Sequence, residues 1–453
     1  MCFNFDMIKL SKGLDIKLKG SADTKYFNVD EPGCYAIMPS DYIGVVPHIL
    51  VGDDSTVEAG ECLFEDEFHK DIKIVSPVSG KVSRIDLDDS LKPSRIVIEK
   101  SEGEQTFVEY GQQDVDTLSR DELLSLLLSS GLFAFIRQRP YDIVADPSYT
   151  PRAIFISAFD TNPLAPDYEF ILKGEEVNFQ TGLNVLSKIA DTHLSINVAQ
   201  HSRALTEAQN VTVHTFDGPH PAGNVGVQLN HIAPVNKGET VWTVGFQTVI
   251  YIGKLINIGH VDFTHWVALT GSEVIEPSYC LLQVGAQLSN VFNDRVTTGK
   301  ILRYISGNVL TGKQIESDDF IGAFDNQLTV IPEGSETNEK LSWLSLRLKE
   351  YSSNHCYFSW LNKKRKYVID ARVKGAQRNI IFDDYSNVFP MDILPEFLIK
   401  AILADDKQKM EALGIYEVAP EDFALCEFIC PSKLELQRIV REGLDRMRNE
   451  ISD

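Results

Sequence analysis

The spacing of apolar positions changes several times along the chain, and each change predicts a different kind of element. Between 51 and 85 short apolar runs alternate with polar residues, with Val57, Cys62 and Phe64 in one and Ile72, Ile74, Val78, Val82 and Ile85 in the next. Side chains on a strand point alternately to opposite faces, so this pattern predicts half-buried strands. Pro77 and Gly80 punctuate the second run, and 72–85 is expected to fold as a hairpin. From about 117 the period turns helical. Ser119-Arg120-Asp121-Glu122 reads as a capping box, with Glu122 reaching back to the Ser119 N–H. The helix it opens is expected to carry Leu123, Leu124, Leu126, Leu127 and Leu128 and to stop at Gly131.

A buried strand is predicted at 153–158. Helix and strand signals then alternate through 177–190, 194–198, 211–216 and 241–252. Strands alternating with helices imply a mainly parallel, Rossmann-like sheet. Between about 255 and 331 short β runs return, at 267–277, 284–288 and 308–313. The tail is helical. Pro395 suits the first helical position before 396–404, and a helix over 406–413 stops at Gly414. Ser432-Lys433-Leu434-Glu435 reads as a second capping box, before a helix with Leu436, Ile439, Val440, Leu444 and Met447 on one face.

Composition narrows the class. A chain of 453 residues exceeds what one core serves, so about three domains are expected. The net charge of −22 argues against nucleic acid, whose affinity rests on Lys and Arg, and against adhesion to an anionic membrane surface. The longest apolar stretch, 123–136, is interrupted by Ser125, Ser129, Ser130 and Gly131 and falls short of the ~20 residues a span needs. The first six residues lack the basic and apolar regions of a secretion signal, and Met7 is expected as the natural start. Seven scattered cysteines, an odd number, fit a reducing compartment, so a cytosolic setting is expected.

The densest chemistry lies at 217–226, Asp-Gly-Pro-His-Pro-Ala-Gly-Asn-Val-Gly, directly after a predicted strand. Prolines fix φ and glycines permit close backbone approach, so this is a shaped loop at a strand end, where α/β proteins bind ligands. A rigid connector satisfies the same residues. His220 within it is the candidate proton handler, because an ordinary imidazole titrates near neutrality. No metal site is expected: His201, His214, His220 and His231 lack the spacing of a helical ligand pair.

Several strings resemble a known family. The runs 51–64 and 72–85 look like a biotinyl/lipoyl-type barrel-sandwich domain. Lys70 lies near the position of that fold's modified lysine, but its flanks differ, so it is expected to be a solvated lysine. The β run from 255 resembles a β-grasp module of the soluble-ligand-binding type. Asp160-Thr161-Asn162-Pro163-Leu164-Ala165, the stretch 216–226, Val241-Trp242 with 251–255, the stretch 305–312, Pro390-Met391-Asp392-Ile393-Leu394-Pro395 and 421–431 together resemble the NqrA family, one of the six subunits of the sodium-translocating NADH:quinone oxidoreductase. The domain order is also similar to that of the flavin-bearing subunit of respiratory complex I and of a component of the Rnf complex. The resemblance implies an α+β multidomain chain: a barrel-sandwich domain at 7–105, a Rossmann-like domain at 106–254, a β-grasp domain at 255–331 and a largely helical domain at 332–453.

It further implies a peripheral location on the cytoplasmic face of the bacterial inner membrane. Five partners, the B to F members of the complex, would provide the membrane contact. The complex would use NADH elsewhere, export Na+, and take ubiquinone as substrate, this chain serving the second step, semiquinone to ubiquinol. The isolated chain is expected to be inactive. No flavin or iron–sulfur cluster is expected on it: aromatics fill 130–140, where the flavin relatives carry a glycine-rich phosphate turn. Cys426 and Cys430 supply half of a four-thiolate set, with no cysteine between Cys356 and Cys426. A quinone needs an apolar slot, donors for its oxygens and a proton source. The expected quinone-binding residues are Phe133, Phe135, Arg137, Arg139 and Tyr141, with Tyr42 from a second segment that also holds Tyr35, Met38 and His48. The same residues fit a packed helix-to-loop junction with surface arginines. The rival function is a non-redox assembly scaffold that keeps a relic flavoprotein fold.

Overall fold

The computed structural model describes residues 7–335, 350–352, 361–362, 364–373, 381 and 384–452. Cys2, Cys356 and the first six residues, on which expectations were placed, lie outside them.

The barrel-sandwich is built from two small sheets. Cys34–Ile37, Pro93–Lys100, Gly80–Leu87 and Thr56–Val57 form one; Pro47–Ile49, Cys62–Asp66 and Lys73–Val75 form the other. The expected hairpin across Pro77 and Gly80 is therefore not one. Lys73–Val75 pairs with Cys62–Asp66, whereas Gly80–Leu87 pairs with Pro93–Lys100, so the turn carries the chain from one sheet to the other. Proline and glycine serve both kinds of turn, and only the pairing partners distinguish them. An added Cβ at Gly80 would overlap the Glu99 carbonyl, which explains the glycine. Lys70 is exposed, as a solvated lysine should be.

The α/β sheet has the order Ile8–Lys9, Thr212–Asp217, Asp191–Asn197, Ala153–Ser157, Val241–Val244, Ile136–Arg139, Ile143–Val144. The first five strands are parallel; Ile136–Arg139 runs antiparallel to them, and Ile143–Val144 antiparallel to Ile136–Arg139. Ile8 pairs with Phe216, so the start of the chain closes this sheet's outer edge rather than joining the barrel-sandwich that follows it in sequence. The capping box at Ser119 forms as expected, and Gly131 ends that region in the left-handed conformation, φ 75°. Two helices, Glu176–Ile189 and Phe246–Ile258, pack so closely that their glycines meet opposing backbone: Gly182 faces the Val249 carbonyl and Gly253 that of Asn178.

The β-grasp sheet runs Ser278–Gln283, Thr264–Thr270, Gln327–Pro332, Leu302–Ser306, Lys313–Ile315, with one parallel pair, Thr264–Thr270 beside Gln327–Pro332. The C-terminal part carries Pro395–Leu403, Lys407–Ala412, Ala424–Ile429 and Leu436–Ser452. Pro395 opens its helix and Gly414 follows the next in the left-handed conformation, as the sequence predicts. The second capping box fails: Lys433 takes φ 52°, the helix starts at Leu436, and the buried Ser432 hydroxyl has no hydrogen-bond partner. A capping box needs the residue after the cap in the right-handed helical conformation, which Lys433 does not adopt.

One apolar core runs through the first three units, joining Phe64, Ile154, Leu186, Leu269 and Leu328. A second gathers Leu398, Ile402 and Val440 of the C-terminal helices with Leu10, Phe216 and Phe423. The C-terminal helices are thereby seated on the α/β sheet. Gly253→Ala is expected to force the two helices apart and to lower stability by about 1–3 kcal/mol, read as a lower urea midpoint than the unsubstituted chain.

Candidate functional site

The four strands from Ala153 to Val244 lie in the order third, second, first, fourth, so their connections leave in opposite directions between Ala153–Ser157 and Val241–Val244. A crevice at the carboxyl ends of such strands is where open α/β sheets bind ligands. A cavity of about 480 Å³ opens there. Ser157 and Gly245 mark the two strand ends; Phe324 and Asp325 come from the β-grasp unit, Asp41 from the barrel-sandwich and Glu421 from the C-terminal part. All four units thus contribute to one site.

The loop 217–226 forms part of the wall through Gly223, Asn224 and Val225. Its glycines allow close approach by three other segments. An added Cβ at Gly218 would sit 2.7 Å from the Leu10 side chain, at Gly223 2.6 Å from the Thr161 nitrogen, and at Gly226 2.6 Å from the Asp422 carboxylate. Both readings of this loop hold: it is a rigid connector and it borders the cavity.

The aromatic side of the cavity is formed by Phe135, Phe159, Phe246 and Phe324. Phe135 lies 5.2 Å from Phe324 and 5.5 Å from Phe263, centroid to centroid. The Arg137 guanidinium stands 4.7 Å over the Phe324 ring and 3.6 Å from Asp142. Behind it Arg139 is 1 % exposed, the most enclosed cation of the site. Its Nη2 donates to Glu421 at 3.3 Å, while Nη1 lies 3.6 Å from Asp422 and Nε 3.7 Å from Asp142. The last two contacts are too long to be hydrogen bonds, and both nitrogens have no other partner.

Three carboxylates around one buried guanidinium cannot all ionise freely. Burial opposes the charge of Asp142, but Arg139, Arg137 and Arg441 outweigh it and hold its carboxyl below the usual range. For Asp422 burial prevails and its carboxyl is raised. For Glu421 burial, then the neighbouring Asp422, push the carboxyl up to about 7. The Glu421 side chain keeps 42 % exposure, toward the open cavity it lines, so solvent there moderates the effect of burial on its charge. Across the cavity burial also raises Asp325, which accepts from the Ser306 hydroxyl at 2.6 Å, and Asp160, which accepts from the Asn162 backbone and side chain.

The sequence matches three family descriptions in order: the NqrA N-terminal barrel-sandwich hybrid domain over 8–101, the NqrA second alpha/beta domain over 118–261, and the NQRA C-terminal domain over 266–317. It is 35% identical, over 98% of this chain and 100% of the relative, to the NqrA protein of the Na(+)-translocating NADH-quinone reductase from Yersinia pestis bv. Antiqua (strain Angola). Its counterparts from Neisseria meningitidis serogroup B and Haemophilus influenzae are 32% and 33% identical, each over 98% of this chain and 100% of the relative. The chain belongs to the NqrA family of Na(+)-translocating NADH-quinone reductase subunits. Among solved structures, a chain of the air-oxidised NAD+-reducing [NiFe]-hydrogenase aligns over 77% of this chain and 68% of that one at 12% identity and a TM-score of 0.37, too weak a likeness to carry an argument. No helix among the described residues is long and apolar enough to cross a membrane.

Of the residues expected to bind a ligand in this family member, Phe135, Arg137 and Arg139 line the cavity. Arg139 is not the surface arginine of the packed-junction alternative. Phe133 packs edge-on against Trp242 in the core, 5.3 Å between centroids, and does not reach the cavity. Tyr141 packs against Tyr416, and Tyr42 lies behind Phe135 and Phe324 with its hydroxyl pKa raised by burial. Tyr35 is likewise core. Arg137 and Arg139 share a face of the strand Ile136–Arg139, whereas Phe133 lies in the preceding 3-10 turn Leu132–Phe135 and Tyr141 follows the strand with φ 83°.

The segment 130–140 is also not the strand–helix junction of the Rossmann unit. That junction follows Ala153–Ser157, and its loop, 158–167, contains no glycine. Cys426 and Cys430 are fully buried, with the Tyr385 hydroxyl donating to the Cys430 sulfur at 3.0 Å. Burial raises the Cys426 thiol far above its ordinary range, so it stays protonated and unreactive.

His220 is 2 % exposed and sits behind the cavity wall. The Thr161 hydroxyl accepts from the Gly223 N–H and shares a hydrogen bond of 3.2 Å with His220 Nδ1, while His220 Nε2 is buried with no partner. Burial pushes this imidazole down to about 4, so it is uncharged at neutral pH. Sequence reasoning singled out His220 and did not notice Glu421, whose raised carboxyl comes from burial among segments distant in sequence and from Asp422.

These charges have measurable consequences for stability. Arg139→Met leaves the carboxylates uncompensated and is expected to cost about 3–5 kcal/mol at pH 7.5. With Arg139 absent their pKa values rise, so the deficit shrinks as the pH is lowered and they protonate; melting curves at pH 5.5 and 7.5 read the difference. For His220 the unfolded chain binds a proton below about pH 6.5 and the folded one only near 4. His220→Asn is therefore expected to lose less stability than the unsubstituted chain between those two values, measured as Tm against pH.

Proposed function

We propose that this chain is the peripheral, cytoplasmic-face member of a six-subunit Na+-translocating NADH:ubiquinone reductase, and that its cavity binds the ubiquinone ring during the second step, semiquinone to ubiquinol. NADH and the flavins act in the five partners, B to F, which also supply the membrane contact and the Na+ path. The observation that carries the reading is the pairing of two aromatic rings, Phe135 and Phe324, tilted 49° to each other, with Arg137 in a cavity of about 480 Å³. That volume lies within the roughly 300–1,000 Å³ common for small-molecule sites. An aromatic face stacks on a quinone ring, and a guanidinium stabilises the negative charge that grows on its oxygens.

The glycine-free loop 158–167 gives no backbone room for a pyrophosphate or flavin phosphate at the usual place, which supports a chain without flavin. Two buried thiols whose sulfurs are held within a helical turn support one without an iron–sulfur cluster. The scaffold alternative draws on a different observation, that the Arg139 cluster ties the C-terminal part to the sheet without any ligand.

Titration of the purified full chain with ubiquinone-1 by calorimetry decides between them. Saturable 1:1 binding is expected, weakened roughly 5- to 30-fold by Phe324→Ala or Arg137→Ala, the equivalent of about 1–2 kcal/mol. No saturable heat from the unsubstituted chain favours the scaffold.

A further inference from the structure

The cavity holds an acid that the ring-binding surface does not require. We propose that Glu421 is the carboxylic acid that delivers a proton to a quinone oxygen in this cavity, with Arg139 as the positioning residue that holds it. This assignment rests on the quinone reading above and names the proton source that reading needs.

Three observations support it. First, Glu421 faces the cavity while its neighbour Asp422 turns inward, accepts from the Ala419 N–H at 2.8 Å and packs over Gly226. Adjacent carboxyls thus have different surroundings, and only one reaches the site. Second, Arg139 Nη2 donates to Glu421 at 3.3 Å, and its two other contacts with carboxylates are longer. The guanidinium therefore has room to tighten on Glu421 as negative charge appears there. Third, the groups facing Glu421 come from every wall: Arg137 and Arg139 on one strand, Asp142 beyond it, Tyr168 across the cavity, and Asp422 beside it. Their balance leaves the carboxyl at about 7, close to the value a proton donor needs at neutral pH. The alternative donor, His220, is behind the wall and uncharged.

In the balanced step one electron, derived from NADH through the partner subunits, reaches the semiquinone. An O–H bond forms at one ring oxygen as the Oε–H bond of Glu421 breaks, and the second oxygen takes its proton from water. The carboxylate left behind is stabilised by Arg139 and regains a proton from solvent water entering the open cavity.

The test uses the assembled complex carrying Glu421→Gln, Glu421→Asp or neither, with the full chain alone as a second sample. At saturating ubiquinone-1 the Gln variant is expected to lose about a hundredfold in kcat, with little change in KM. The fall in rate as pH rises through about 7 should disappear with it. The Asp variant should recover part of the rate, which shows that the fold survives. In the chain alone, infrared spectra should contain a protonated-carboxyl band that titrates near 7 and is missing from the Gln variant. An unchanged kcat and pH profile in the Gln variant, with ubiquinone-1 still binding the chain, overturns the Glu421 assignment alone. Failure of the unsubstituted chain to bind ubiquinone-1 overturns the quinone reading and this assignment with it.

Discussion

The buried guanidinium of Arg139 is the interaction on which the rest of the site depends. A cation at 1 % exposure is costly unless carboxylates surround it, and those carboxylates come from two parts of the chain far apart in sequence. Asp142 follows the same strand, while Glu421 and Asp422 belong to the C-terminal part. The cluster therefore fixes the C-terminal helices against the strand ends and sets the electrostatics of the cavity at the same time. Removing the cation would disturb both. Three acids share one deeply buried base; Arg137 stands 3.6 Å from the Asp142 carboxylate, while Arg441 donates to the Asp142 backbone carbonyl and pairs with Asp445, so positive charge is in deficit on the Glu421 side. That imbalance adds to burial, the larger cause, in raising the Glu421 carboxyl.

Much of the fold was legible from local chemistry. The Ser119 capping box, Pro395, Gly131 and Gly414 each act within a few residues, and each does what its side chain dictates. The alternation of strands and helices foretold a parallel sheet because a crossover needs its helix. What escaped was set by distant partners. Pro77 and Gly80 are equally suited to a hairpin or a corner, and Glu99 decides between them. Ser432 has the right neighbours for a cap, but Lys433 turns left-handed.

The site shows the same division. Phe135, Arg137 and Arg139 were recognisable as an aromatic and basic run, yet Phe133 and Tyr141 in the same run went to the core. All of these are odd-numbered positions, which strand pleat alone would leave on one face; which of them meets the cavity depends on Phe324 and Glu421, some 190 and 280 residues later. The loop at 217–226 was the most conspicuous string in the chain. Its glycines prove to be places where three other segments press against its backbone, so its composition records contacts that the string itself does not name.

The placement of Ile8–Lys9 on the outer edge of the α/β sheet bears on how the molecule is made. Its hydrogen-bonding partners, Phe216 and Asp217, leave the ribosome about two hundred residues later. At ~5–20 residues per second the first strand waits ~10–40 s for them. During that interval the barrel-sandwich can fold behind a tethered, unpaired leader. The outer edge of the growing sheet can close only after the third parallel strand is synthesised.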